Sequence, residues 1–226
     1  MDDICKAGFR CITYDQRGCG RSDRPWDGYD CATLADDLAG IIDQLDLKEL
    51  TLIGHSLGCA VITQYLAYYG ETKVANAIYI STISPSPNAD PDLNQQVIEI
   101  IKADRPAYVK SLADNFYDLS GEGNTVSKEL TDWTIGIVLQ ASLRAATEMT
   151  KVYFNNDQSG VLKKINTPVL LLHGDKDVNA PVDSTAKPIQ KLLKNSELKI
   201  YAGQPHGMYV SKAAMLSQDI IDFINR

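Results

Sequence analysis

The stretch that most constrains this chain is residues 49–66, ELTLIGHSLGCAVITQYL, where a short apolar run meets a glycine-framed serine and passes directly into a helical pattern. Leu50, Leu52 and Ile53 belong to a run without charge and with a β-branched bias, which reads as a buried strand. Ala60, Val61, Gln64 and Tyr65 then recur at helical spacing. Between them stands Gly54-His55-Ser56-Leu57-Gly58, a G-x-S-x-G string in the strand–turn–helix setting that makes such a string a nucleophile elbow. A serine on that turn holds its hydroxyl above the sheet edge in a strained backbone conformation, so its close neighbours must be small. Gly54 and Gly58 are expected to give that room. The following helix points its N-terminus at the same spot, which makes the backbone N–H of Leu57 the candidate donor to a developing oxyanion.

The rest of the chain repeats the alternation. Residues 9–14, FRCITY, read as a strand and run into a glycine-rich loop, Asp15 to Asp23. That loop lacks the third glycine of G-x-G-x-x-G and no Walker lysine follows, which argues against a nucleotide site. Leu34, Leu38, Ile41, Ile42 and Leu45 mark one helical face, and residues 74–80, VANAIYI, read as the next strand. The alternation then stops. From about residue 92 to 154 only helical patterns follow (93–103, 106–117, 127–139 and 143–154), broken at 121–124. It resumes with strands at 169–172 and 198–201, a helix from about 184 to 193, and a last helix from about 212 to 224. Strands alternating with helices imply a mostly parallel α/β sheet with helices on both faces. The expected division is a core at 1–86 and 161–226 with a helical cap inserted at 87–160, over the crevice at the C-terminal strand edge where ligands bind in such sheets.

Composition narrows the partners. The 226 residues carry a formal charge of −7, which argues against nucleic acid, because phosphate binding needs clustered Lys and Arg. No apolar run is long enough to cross a bilayer, and the first residues have neither a basic nor an apolar signal region. The expectation is a cytoplasmic chain without membrane or nucleic-acid partners, acting on a small molecule, with a homo-oligomer allowed. All five cysteines (5, 11, 19, 31 and 59) fall in the first sixty residues at spacings that match no zinc pattern. Free thiols acting as small buried side chains are the expected reading.

A serine hydroxyl is a weak nucleophile until a base takes its proton, and a third group must hold that base in the right tautomer. The chain has three histidines. His55 lies within the elbow and His173 ends a strand, and both read as structural. His206, in the loop Gly203-Gln204-Pro205-His206-Gly207 after the final strand, is the candidate general base. For the orienting acid, Asp177 is preferred to Asp175, whose alternative reading is a turn former. Ser56, Asp177 and His206 then follow one another in the order serine, acid, histidine, each in a loop after a strand.

These residues carry a resemblance. The chain resembles the α/β-hydrolase superfamily, and within it the non-haem haloperoxidases (chloroperoxidases) and their perhydrolase and aryl-esterase relatives. The shared features are Tyr14-Asp15-x-Arg17-Gly18-x-Gly20-x-Ser22-Asp23, Pro25-Trp26, Ala35-Asp36-Asp37-Leu38, Gly54-His55-Ser56-Leu57-Gly58, Ala103-Asp104-Arg105, Phe116-Tyr117, His173-Gly174-Asp175-x-Asp177 and Gly203-x-Pro205-His206-Gly207. The resemblance implies an α/β-hydrolase fold and a triad of Ser56, Asp177 and His206, with no haem, no metal and no other cofactor. It implies ester hydrolysis through an acyl-enzyme, with transfer of the acyl group to hydrogen peroxide in some relatives, and it marks Trp26 for the substrate pocket. Two departures stand out. Leu57-Gly58-Cys59 replaces the Met and third glycine frequent in relatives. The few residues before Phe9 cannot supply the three strands and first helix that the family places there, roughly 40 to 50 residues. The strand lying between 9–14 and 50–53 in the family is expected to be missing, along with the loop that gives the second oxyanion N–H. The rival reading is a non-catalytic ligand-binding fragment of the same fold. A haloalkane dehalogenase is disfavoured, since those enzymes use an aspartate where Ser56 stands.

Overall fold

In the computed structural model, residues 1–87, 90–122 and 124–226 are described. Residues 88–89, at the start of the expected cap, and Gly123, in the expected break at 121–124, lie outside the described residues. Four parallel strands form one sheet in the order β1 (Leu50–His55), β2 (Val74–Ile80), β3 (Val169–Gly174) and β4 (Ser196–Tyr201). Every residue of β3 is buried, as an uncharged VLLLHG run predicts for an inner strand covered on both faces.

Two apolar layers sandwich the sheet. On one side Leu52, Ala77, Tyr79, Val169 and Leu171 pack against α2 (Cys31–Gln44), α3 (Leu57–Tyr69), α7 (Ser159–Leu162) and α8 (Ala186–Leu192). On the other, Ile78, Ile80, Leu170 and Leu172 meet α1 (Asp2–Lys6) and α10 (Ala213–Ile224) through Ile4, Leu216 and Ile220, and Met208 of the short α9 (Met208–Ser211) joins them. At about 1.5–3 kcal/mol for each fully buried Leu or Ile, these layers are the main stabilising term. The start of α2 is fixed locally, because the Asp30 carboxylate accepts from Thr33 N–H and Thr33 Oγ1.

Between β2 and β3 the chain is helical: α4 (Pro91–Tyr117), α5 (Lys128–Val138), α6 (Leu143–Asn155) and α7. The two helices expected at 93–103 and 106–117 run on as α4, kinked where Asp104 leaves helical geometry (φ −153°, ψ 82°) ahead of Pro106. The Asp104 carboxylate caps the second half by accepting from Ala107 N–H at 3.0 Å. Ala113, Tyr117 and Val126 form a separate small core with Leu130 and Ile135.

One expected strand is absent. Residues 9–14 form no strand; Phe9 and Cys11 lie against the α1/α10 layer while Ile12 is 39% exposed and Tyr14 41%. A strand is made by hydrogen bonds to a neighbour, and local propensity cannot supply them. Among the described residues nothing pairs with the outer edge of β1, and Ile53, which sits beside the buried Ile78, is 45% exposed. The gap expected between 9–14 and 50–53 is thus an open edge. The loop after residue 14 is knit instead by its own contacts: Gly18 N–H donates to Asp23 O at 2.7 Å, Ser22 Oγ to Asp15 O at 2.5 Å, and Arg17 clamps Asp37 in a bidentate pair at 2.5 and 2.6 Å. Ser142 N–H donates to Gly18 O, tying this loop to the start of α6.

The cysteines only partly follow expectation. All five are free, Cys31 and Cys59 are buried, but Cys5 is exposed and Cys11 and Cys19 are partly so. No helix among the described residues is long and apolar enough to cross a membrane.

Candidate active site

Ser56 sits between β1 and α3 at φ 53°, ψ −119°, a backbone conformation rare for a non-glycine residue. The turn closes through Ser56 N–H to Ile80 O and Cys59 N–H to Ser56 O, both 3.0 Å. Gly54 is required here: a Cβ on it would come within 2.7–2.8 Å of the backbone of Gly58 and Cys59. Gly58 is not, because a Cβ there would meet open space, so only one of the two glycines expected to give room does so. Leu57 opens α3, and its N–H is among those an α-helix leaves without an internal partner.

β3 and β4 bring in the other two residues. Nδ1 of His206 lies 2.6 Å from Oδ2 of Asp177, with both side chains buried. Asp177 Oδ1 accepts from Ala180 N–H at 2.7 Å, closing the turn after β3. Asp175 faces elsewhere and accepts from Gly203 N–H at 2.6 Å, so it shapes the turn that leads to His206. Gly174 allows the two loops to touch, since a Cβ on it would collide with Gln204 O. Gly207 packs against the rings of Phe116 and Tyr117 of α4, which a Cβ on it would meet at 2.6–2.7 Å, and its N–H donates to Phe116 O at 2.6 Å. The helical insertion is therefore fastened directly to the histidine loop.

All three histidines converge. The His55 ring lies 4.7 Å from that of His206, edge to face, with Phe116 and Tyr209 completing an aromatic cluster. The His206 carbonyl accepts from Ser81 Oγ at 3.0 Å, and from His55 Nε2 at 3.2 Å. A carbonyl only accepts, so His55 must carry its proton on Nε2. His173 Nε2 lies 2.7 Å from Ala180 O and 3.2 Å from Asp177 Oδ2. The sequence reading of these two as structural residues did not anticipate these contacts: His55 meets a loop 151 residues away, and His173 bonds within its own turn, to residues 177 and 180.

The electrostatics follow from burial and hydrogen bonding. Burial alone would raise the Asp177 carboxyl, but the hydrogen bonds it accepts from His173, His206 and Ala180 more than offset this and hold it at about 2. Desolvation, aided by the neighbouring His206, lowers His55 to about 3, so it stays neutral. Burial raises the Cys59 thiol to about 12, which leaves it an unreactive packing group beside the elbow. Trp26, the expected pocket residue, is 74% exposed and stacks under the Arg144 guanidinium of α6 at 4.6 Å. No described contact joins it to Ser56, Asp177 or His206.

A parallel sheet with a serine elbow after one strand, and an aspartate and a histidine joined in loops after two others, defines an α/β hydrolase. The sequence bears this out: it matches the alpha/beta hydrolase fold family over residues 1–112 and the prolyl oligopeptidase family over 116–226. It is 30% identical to a non-heme chloroperoxidase of Kitasatospora aureofaciens (99% of this chain, 85% of that protein) and 33% identical to a bifunctional esterase/perhydrolase of Acinetobacter calcoaceticus (97% and 83%). The structure superposes on the bromoperoxidase of Bacillus anthracis with a TM-score of 0.94 at 26% identity, covering all of this chain and 85% of that one. The chain belongs to the α/β-hydrolase superfamily, among the relatives of the non-heme chloroperoxidases.

Proposed function

We propose that the protein is a serine esterase that cleaves small carboxylic esters through an acyl-enzyme. The observation that carries this reading is the 2.6 Å contact of His206 Nδ1 with buried Asp177, which leaves Nε2 of the ring to take a proton from a nucleophile. Ser56 Oγ attacks the ester carbonyl carbon as its proton passes to His206 Nε2, and the Leu57 N–H donates to the resulting oxyanion. The tetrahedral intermediate collapses, His206 returns the proton to the departing alkoxide, and the acyl group stays on Ser56. Water, deprotonated by the same ring, then releases the acid. Hydrogen peroxide in place of water would give a peracid, the perhydrolase side reaction that the Acinetobacter calcoaceticus relative's name suggests. These steps need no metal or cofactor, and the substrate needs no charge. In this reading residues 87–160 act as a cap over the serine, and the setting is cytoplasmic.

Hydrolysis of p-nitrophenyl acetate by the purified chain, beside Ser56→Ala, tests the proposal. Turnover in the parent that falls by about 10⁴-fold or more in the variant is expected. A second reading, a ligand-binding protein of the same fold, draws on the outer edge of β1 beside the elbow, which pairs with no strand among the described residues and leaves Ile53 45% exposed. It predicts a cooperative melt with no turnover above Ser56→Ala.

A further inference from the structure

Asp177 is held from two sides. Oδ2 receives His206 Nδ1 at 2.6 Å and faces His173 Nε2 at 3.2 Å, and both side chains of the His173–Asp177 pair are essentially inaccessible to water. The other neighbour of His173 Nε2 is Ala180 O at 2.7 Å. Carboxylate and carbonyl oxygens both accept, so Nε2 carries the proton and divides it between them. Nδ1 of the same ring is then a bare acceptor, buried with no hydrogen-bond partner among the described residues. A fully buried imidazole with one nitrogen unsatisfied carries a desolvation cost that an apolar side chain would avoid. What offsets it is the work of Nε2.

We propose that His173 is a positioning residue of this site: its Nε2–H holds Oδ2 of Asp177, takes up part of its negative charge, and so sets how firmly His206 keeps its proton. Two donors on one carboxylate oxygen share its charge, and each is held less tightly than it would be alone. With His173 in place, the His206 imidazolium formed during acyl transfer is stabilised but still releases its proton to the leaving group. The other titratable groups around the pair do not compete for this role. Tyr153 of α6 is spent on Asn179 O at 2.7 Å and, like Tyr209 of α9, is held above its ordinary value by burial. His55, after β1, stays neutral, and Tyr117 of α4 lies with Tyr209 at the rim of the aromatic cluster. No lysine or arginine among the described residues pairs with Asp177.

The inference rests on the esterase reading for its kinetics, and a second measurement is independent of it. His173→Gln keeps an N–H that reaches the Nε2 position, His173→Asn places its amide near Nδ1 instead, and His173→Leu removes the donor. For each, the pH profile of kcat/KM on p-nitrophenyl acetate is recorded together with an NMR titration of the histidine ring protons, which is tractable with only three histidines. In the Asn and Leu variants the acid limb and the His206 titration midpoint should move up by about half a unit or more. Their kcat should drop about tenfold with KM unchanged. The Gln variant should return both towards the parent. If His173→Leu fails to fold, the Gln and Asn pair carries the comparison. A folded Asn variant with an unmoved His206 midpoint, or a Gln variant displaced as far as Asn, would overturn the proposal and leave His173 as a clamp on Ala180 alone. A parent with no turnover but with the predicted NMR shifts would sink the esterase reading and keep this one.

Discussion

The loops at the two ends of the sheet are held to different degrees. At the β3–β4 end every strand residue of β3 is buried, and Asp177 has a partner for each carboxylate oxygen. The His206 carbonyl receives two donors, and a Cβ on Gly174 would run into the backbone of Gln204 while one on Gly207 would meet the Phe116 and Tyr117 rings. Both outer strands are edges among the described residues, with Ile53 of β1 45% exposed and Ile200 of β4 43%, but beside β1 residues 9–14 form no strand and no loop interlocks in this way. Asp177 and His206 belong to the end where the loops interlock. The elbow lies at the other end, where Ser56 and the first turn of α3 follow β1. The difference teaches that the His206–Asp177 contact rests on β3, β4 and the α4 helix fastened to the histidine loop, and not on what lies beside β1.

Substitutions at each end sharpen this contrast. The largest effect should come from Gly174→Ala, whose new Cβ meets Gln204 O and must push the His206 loop aside. A loss of about 3 kcal/mol or more in urea unfolding is expected, with activity lost even where the chain still folds. The paired change at the elbow, Gly58→Ala, enters open space on a helix and should be neutral or stabilising by up to about 1 kcal/mol. Sheet residues give the next comparison. Ile78→Ala in buried β2 should cost about 3–4 kcal/mol, while Ile53→Ala, its register partner on the open edge, should cost under about 1. Equal costs at the two positions would show that the edge is covered in solution.

A smaller effect is read from pH. His55 is held at about 3 against its ordinary 6.5, so between those values the unfolded chain binds this proton and the folded one does not. Its contribution is complete above pH 6.5 and drains away as pH falls towards 3. Asp177, lowered from 3.8 to about 2, adds a loss confined to still lower pH. The urea midpoint should therefore fall between pH 7.5 and 4.5, and His55→Gln should flatten that fall.

Parts of both ends were legible in the sequence. Gly54 and Ser56 are marked by a local rule, because a strained turn demands particular residues at short spacing, and His206 by its place in a Gly/Pro-framed loop after the last strand. The four paired strands and the long helices came from periodicity. What escaped was non-local. FRCITY has a strand's composition, and only the absence of a partner for it among the described residues keeps it from being one. The alternation of α4 gave two helices where the chain makes one kinked rod, since the Asp104-Arg105-Pro106 signal fixes a bend without saying whether the rod continues. His55 was visible as a residue but not as a neighbour of His206, for that contact joins loops that only the folded sheet brings together, whereas His173 meets Asp177 within one turn whose geometry the sequence does not fix.

The central claim is that Ser56 is activated by the His206–Asp177 pair despite the open edge. Labelling of the folded chain with a fluorophosphonate, followed by intact-mass and peptide mapping, tests it most directly, because phosphonylation needs an activated serine and no particular substrate. The account predicts one adduct per chain, on Ser56, abolished in Ser56→Ala and strongly slowed in His206→Ala. A cooperatively melting chain that takes up no label, or takes it up equally in Ser56→Ala, would contradict it.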